Sequence, residues 1–342
     1  MKDFFLGNRK EQILRILIND YIYTCEPVGS HRIVSTYGMD VKSSTVRNEM
    51  AELVEMGLLT QPHKSAGRIP SHMGYRVYVD NLMEKCTISD PVSHIIYDSL
   101  KQKSELEMVL RTACNLLGEM SGYLALASHP RINDSIINHI SISKYGYNKL
   151  LLVIAMSNGY IIHQIIFMDI EKEIYSLESV VNYLSDNFIG KEIGFLQAEV
   201  PDEASVYFNI SQIFFDTLNK EIKEQEDVKY YYDGIRSLLK LPEFLDISKL
   251  ELILYILERP DVLNKFFKDI EKSDNISISI GDEIPIFELR ECSVLSIPYR
   301  IKDKKSGVIA VIAPTRMDYS KTVAALEVSA KHLGLTLTNL SV

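Results

Sequence analysis

The chain is 342 residues long, which at roughly 150 residues per domain predicts two or three domains, each large enough for a core of its own. Hydrophobic residues make up 46% and charged residues 24%, ordinary values for soluble globular proteins that exclude a disordered or fibrous class. The net charge of -9 weighs against nucleic acid as a partner of the whole chain, because Lys and Arg supply the affinity for phosphates, so the distribution of charge decides the matter.

Residues 1–85 carry 11 Lys and Arg against 10 Asp and Glu, a net of +1, and the remainder carries 26 against 36, a net of -10. Only the head is not repelled by DNA. Cys25, Cys86, Cys114 and Cys292 lie far apart without a C-x-x-C pair, so no zinc site or disulfide framework is readable and free thiols in a reducing cytosol are expected. The opening MKDFFLGNRKEQ lacks the long apolar run and small-residue cleavage site of a secretory signal, and a cytoplasmic location follows as the expectation.

In residues 9–23, Ile13, Leu14, Leu17, Ile18 and Tyr21 recur at helical spacing along one face. Glu26-Pro27-Val28-Gly29 breaks this first helix, and Ser30 is expected to cap a short second one that Gly38 ends. Ser43 and Ser44 are expected to cap a third helix that runs to about Met56 and stops at Gly57. Residues 58–62 read as a strand, 64–67 as a turn and 68–70 as the returning strand, after which Ser71 caps a helix through Tyr75, Tyr78 and Leu82. Three helices followed by a two-stranded wing predict a winged helix-turn-helix over residues 1–85.

A linker is expected over 86–103, then a helix over 104–127. Ile140 and Ile142 alternate with serines, the signature of a strand. Residues 150–168 are apolar enough to raise the question of a membrane span, but Ser157-Asn158-Gly159 interrupts them, and Asn-Gly predicts a type I′ turn between two buried strands. Residues 191–274 read as a helix-rich, acidic insert; strands return at 276–280, 294–299 and 308–312, and a helix over 321–337 turns Val323, Leu326, Ala330 and Leu333 inward. Strands that stop and resume predict a multidomain α+β protein, in which a domain made of 104–190 and 275–342 is split by the insert 191–274.

The third helix carries the chemistry. At 100° per residue, Val46, Met50, Leu53 and Val54 share one arc, Ser44 and Asn48 point the opposite way, and Thr45 and Arg47 lie on the flanks. The first turns of a recognition helix reach base edges in the major groove, where Arg pairs bidentately with guanine and Asn with adenine. Arg47 and Asn48 are therefore the candidate base readers, with Ser43, Ser44 and Thr45 on phosphates or a thymine methyl. Glu52 and Glu55 would repel phosphate and confine contact to the first turns. In the wing, His63, Lys64 and Arg68 flank a tip of small residues and are candidates for positioning on phosphates, although Arg68 equally suits bracing the turn. A solvated helix face with two capping serines is the bland account of the same residues; the order of elements and the wing outweigh it.

The runs PVGSHRIV, SSTVRNEMAELVEMGLL and QPHKSAGRIPSHMGYRVYVD, with IAPTRMDY ending at Tyr319, Gly281-Asp282-Glu283 and Leu241-Pro242-Glu243-Phe244, resemble the HrcA family of heat-shock repressors over nearly the whole chain. The resemblance implies a winged helix joined to a GAF-like domain that an inserted dimerisation domain interrupts. It also implies a homodimer on double-stranded DNA at the inverted repeat called CIRCE upstream of chaperone genes, with the chaperonin GroEL keeping the repressor active. Departures from the family pattern are Cys25 for Gly, His31 for Arg, Lys64 for Thr, alanines at Ala310 and Ala313 for glycines, and Glu283-Ile284 for Glu-Asn.

No H-E-x-x-H, G-x-S-x-G, Walker loop or G-x-G-x-x-G occurs, so neither an enzyme nor a cofactor is expected. The polar run Pro314 to Tyr319 reads as a strand-to-helix turn with an Arg–Asp pair. A winged-helix regulator whose GAF-like domain senses a small molecule is the competing reading, since an effector need only bind two dimer geometries unequally. An inverted repeat requires two heads about a two-fold axis, and Tyr207, Phe208, Phe214, Phe215, Phe266 and Phe267 in the insert are either that dimer surface or an ordinary core.

Overall fold

A computed structural model describes residues 6–132, 135–167, 177–196, 208–224, 229–270 and 275–340. The head begins with α1 (Asn8–Thr24), which buries Ile13, Leu14, Leu17 and Ile18, and continues with α2 (Ser30–Tyr37) and α3 (Ser43–Glu55). Strands β1 (Leu59–Thr60) and β2 (Ile69–Pro70) pair antiparallel, with Leu59 opposite Pro70, and α4 (His72–Val77) follows.

Two of the expected caps are not made. The N-caps of α2 and α3 are Gly29 and Lys42, without side-chain bonds to the helix, and Ser30 and Ser43 are the first helical residues. Their hydroxyls meet each other instead at 2.9 Å, tying the starts of the two helices together. The cap at Ser71 is made: its Oγ accepts from the Gly74 N–H at 3.0 Å and donates to the Gly57 carbonyl at 2.6 Å.

The stretch expected as a linker holds α5 (Asp90–Lys101). The helix expected to reach residue 127 is α6 (Leu106–Ser121), which Gly122 ends in the left-handed conformation at φ 79°. Beyond it β3 (Leu124–Ser128) is buried at every position. A strand covered on both faces shows no alternation, which is why its apolar run continues the helical pattern in the sequence.

Strands β4 (Ile137–Gly146), β5 (Lys149–Met156) and β6 (Ile161–Phe167) form a three-stranded antiparallel sheet in that order. Together with α7 (Leu177–Phe188) and α8 (Phe208–Glu224) it encloses a separate apolar core from Ile132 to Leu218. The hairpin at Asn158-Gly159 forms, but not as a type I′ turn: only Gly159 has positive φ, at 82°. Asn158 is buried and accepts from the Tyr160 N–H at 3.0 Å, an Asx contact that holds it out of the left-handed region.

The second sheet has five antiparallel strands in the order β7 (Tyr230–Asp233), β3, β10 (Lys304–Pro314), β9 (Cys292–Ile301), β8 (Ser277–Ile280). One face carries α5, α6 and α12 (Tyr319–Leu340); the other carries α9 (Ile235–Leu238), α10 (Ile247–Leu257) and α11 (Pro260–Ile270). All four residues expected to face inward from the closing helix are buried. The first face of this sheet and the head share one continuous apolar core, in which Leu17, Val46 and Tyr75 belong with Ile309, Leu326 and Leu333.

The insert expected at 191–274 does not coincide with these cores. Residues 230–270 join the five-stranded sheet through the pairing of Tyr231 with Ala127, and the separate core takes strands 137–167 that the sequence assigned to the surrounding domain. Backbone pairing decides sheet membership, and composition does not encode it. The aromatics proposed for a dimer surface are core: Phe214, Phe215 and Phe267 are at most 5% exposed, and Phe266 packs partly buried against the core that holds Phe267. Tyr207 and the side chain of Phe208 lie outside the described residues. Among the described residues, no helix is long and apolar enough to cross a membrane.

Candidate nucleic-acid interface

The inner face of α3 buries Val46, Met50 and Leu53 against α1 and α2. That packing turns Ser44, Arg47 and Asn48 outward together, all exposed and without a side-chain hydrogen bond or ion pair among the described residues. Thr45 is half-buried on the flank, and Ser43, also half-buried, is engaged with Ser30. The helical wheel put Ser44 and Asn48 outward and Thr45 and Arg47 on the flanks; the structure exposes Arg47 together with the first two and leaves Thr45 half-buried.

Acidic residues on α3 are partly neutralised from α1, which the sequence did not reveal. Glu49 meets Arg9 at 3.3 Å and Lys10 at 3.0 Å, and Glu52 meets Lys10 at 2.8 Å. Hydrogen bonds to Glu52 and Glu49 push the Lys10 pKa above its ordinary value. The repulsion expected from Glu52 is therefore offset, although pairs this exposed contribute little to stability. Glu55 sits exposed at the last residue of α3, far from the first turns.

In the wing, His63 and Lys64 are exposed, with side chains engaged by no other described residue. Gln61, which the sequence did not single out, shapes the tip by donating from Nε2 to the carbonyls of Lys64 at 3.0 Å and Ala66 at 3.1 Å. Arg68 is half-buried and turns back on the Ala66 carbonyl at 3.4 Å. Its backbone exchanges two hydrogen bonds with Val28, at 2.9 and 2.8 Å, which anchors the wing to the loop between α1 and α2. Of the two roles open to Arg68, the geometry fits the brace. His31 stands exposed on the first turn of α2.

Arg316 does not pair with Asp318 as expected. Its guanidinium holds the Glu243 carboxylate and the Ile22 carbonyl, while Asp318 accepts from the Lys321 N–H at 3.0 Å at the start of α12.

The family model described as the HrcA protein C terminal domain matches residues 107–323. This chain belongs to the HrcA family. It is 33% identical over 333 residues to the heat-inducible transcription repressor HrcA of Symbiobacterium thermophilum, covering 96% of this chain and 98% of that one. The HrcA repressor of Clostridium perfringens strain 13 is 33% identical over 340 residues, covering 98% of this chain and 99% of its own. A crystal structure described as that of a hypothetical protein superposes with a TM-score of 0.63 at 21% identity over 98% of both chains, a likeness in fold. The HrcA alignments span the head as well as the body.

Proposed function

We propose that this HrcA-family chain is a heat-inducible transcription repressor that binds double-stranded DNA through its head, a winged helix over residues 1–85 with α3 in the major groove. Arg47 and Asn48 read base edges; Ser43, Ser44 and Thr45 hold the backbone at the start of α3; His63 and Lys64 contact phosphates from the wing, with Arg68 behind them. The body, a GAF-like sheet domain interrupted by the three-stranded insert, pairs two chains so that the heads meet an inverted-repeat operator of the CIRCE kind. Heat stress releases the operator, and GroEL is the partner the family implies.

One observation carries this reading: Ser44, Arg47 and Asn48 form an unengaged polar surface on the first turns of a helix whose opposite face is fully packed. A gel shift of the full chain against an inverted-repeat operator and a scrambled control, across salt concentrations, tests it. Arg47→Ala and Asn48→Ala are each expected to cost about 1–3 kcal/mol on the operator and little on the control. Equal loss on both duplexes reassigns these residues to phosphates, and no binding to either at low salt ends the reading.

A cavity of about 490 Å³ between head and body, lined by Tyr23, Tyr37 and Tyr78 and by the charged Arg15, Lys321, Glu84 and Asp318, with Arg15 paired to Glu84, supports the second reading of a small-molecule sensor. Thermal-shift screening with and without small metabolites separates the two, because only a sensor gains stability from a ligand.

A further inference from the structure

The head meets the body at two arginines, each shared between a carboxylate and a backbone carbonyl. On one side, Arg76 of α4 donates from Nε to Glu283 Oε1 at 2.8 Å, from Nη2 to the other Glu283 oxygen and to the Ile278 carbonyl, and from Nη1 to Asp80 of the head at 3.1 Å. Glu283 Oε2 also accepts from the Ile280 N–H at 2.9 Å, which fixes the carboxylate itself. Beside it, His72 Nδ1 lies 3.0 Å from Asp282, and Gly281, at φ +55°, lets the imidazole sit where a Cβ would be 2.3 Å from Nδ1. On the other side, Arg316 is 12% exposed and clasps both oxygens of Glu243 while donating to the Ile22 carbonyl at 2.6 Å. That carbonyl belongs to the last turn of α1, where no intrahelical partner exists. Between the two points the rings of Tyr75 and Tyr319 pack at 5.8 Å.

A planar guanidinium divided between a carboxylate and a carbonyl accepts one orientation, unlike an ammonium, which pivots. One such contact leaves a hinge. Two, with the tilted Tyr75–Tyr319 ring contact beside them, fix the rotation of the head, and because α3 packs on α1 they fix the direction of α3 as well. The contacts draw together Arg76 of the head, Glu243, Glu283 and Arg316, residues up to 240 positions apart in the chain.

We propose that Arg76 and Arg316 are positioning residues that set the angle at which each head is presented, and thereby the separation of operator half-sites that the repressor accepts. The proposal rests on the repressor reading above. Neither arginine touches DNA; both act through the pose of α1 and α4.

The test uses the full-length chain on inverted repeats whose spacer is kept, shortened or lengthened by two base pairs. Half-site separation is a geometric property of a paired reader, so the parent is expected to lose about tenfold or more in affinity when the spacer changes. The double variant Glu243→Gln with Glu283→Gln removes both carboxylate charges without opening a cavity. It is expected to reduce that loss to about threefold or less while the salt dependence, set by phosphate contacts, stays as in the parent. Circular dichroism at the assay temperature, with Glu243→Gln and Glu283→Gln measured singly, ensures that folded proteins are compared. A double variant with the parent's spacer dependence overturns the proposal and leaves the repressor reading standing. A parent that binds no inverted repeat ends that reading and the proposal with it.

Discussion

Gly67 lies so close to Val28 that a Cβ placed on it would stand 2.4 Å from the Val28 carbonyl oxygen. The backbone pairing of Val28 with Arg68 holds the two strands of chain at that spacing, so the wing root has no room to give. Gly67→Ala is expected to cost about 1–3 kcal/mol, as an overpacked site does, and to weaken binding on operator and control DNA alike by displacing His63 and Lys64. Urea denaturation and the gel shift read the two effects; an unchanged unfolding midpoint would show that the root is free to move.

At the end of α1, Cys25 takes a left-handed conformation at φ 58°, a position where HrcA resemblance leads one to expect Gly. A side chain in this region costs roughly 1–2 kcal/mol, of which glycine's greater unfolded entropy returns part. Cys25→Gly is therefore expected to stabilise the chain by about 1 kcal/mol. A lower melting temperature for the glycine variant would mean that the thiol's packing outweighs the backbone strain.

Asp20 is 3% exposed, accepts from the Tyr37 hydroxyl at 2.8 Å and meets Arg32 at 2.8 Å. Burial, and then the bond to Asp20, push the Tyr37 pKa up. Removing one partner of a buried polar group costs about 1–3 kcal/mol, the loss expected for Asp20→Ala. In a double-mutant cycle with Tyr37→Phe the two losses should fall short of additivity, since they delete the same bond. Strict additivity would place the Asp20 effect on Arg32 alone.

His129 is 8% exposed and packs edge-on against Tyr160 at 5.0 Å. Burial, reinforced by the charge of Lys229, holds its pKa below the ordinary 6.5. The unfolded chain takes up this proton more readily than the folded one, so the stabilisation is present above pH 6.5 and is lost as pH falls toward the lower folded value. Melting temperatures should decline as the solution is acidified below that point, and less steeply for His129→Gln. Parallel profiles for parent and variant would assign the acid sensitivity elsewhere, His332 being the next candidate, since burial lowers its pKa as well.

The head was legible in the sequence because its signals are local. Periodicity placed Val46, Met50 and Leu53 inside, Ser44 and Asn48 outside and Arg47 on a flank, and Gly38 and Gly57 closed their helices at positive φ. Cap chemistry was less so: Ser30 and Ser43 have the composition of caps, but their mutual hydrogen bond depends on how α2 meets α3. The body was misdivided for a related reason. Tyr231 belongs to the five-stranded sheet only because Ala127 lies opposite it, a pairing across more than a hundred residues that no local pattern announces. The partners of Arg316 were invisible on the same grounds, and Asp318, two residues away, was the wrong guess that proximity in sequence invites.

The apolar core that runs unbroken from Leu17 through Tyr75 to Leu333 leaves no seam along which the head can part from the sheet that carries it. Parting the two would open that shared apolar surface to water at about 25 cal/mol per Å², so a packing defect in the sheet is passed on to the helices of the head. On the repressor reading, any loosening of the sheet would reach α3 through these same packed residues.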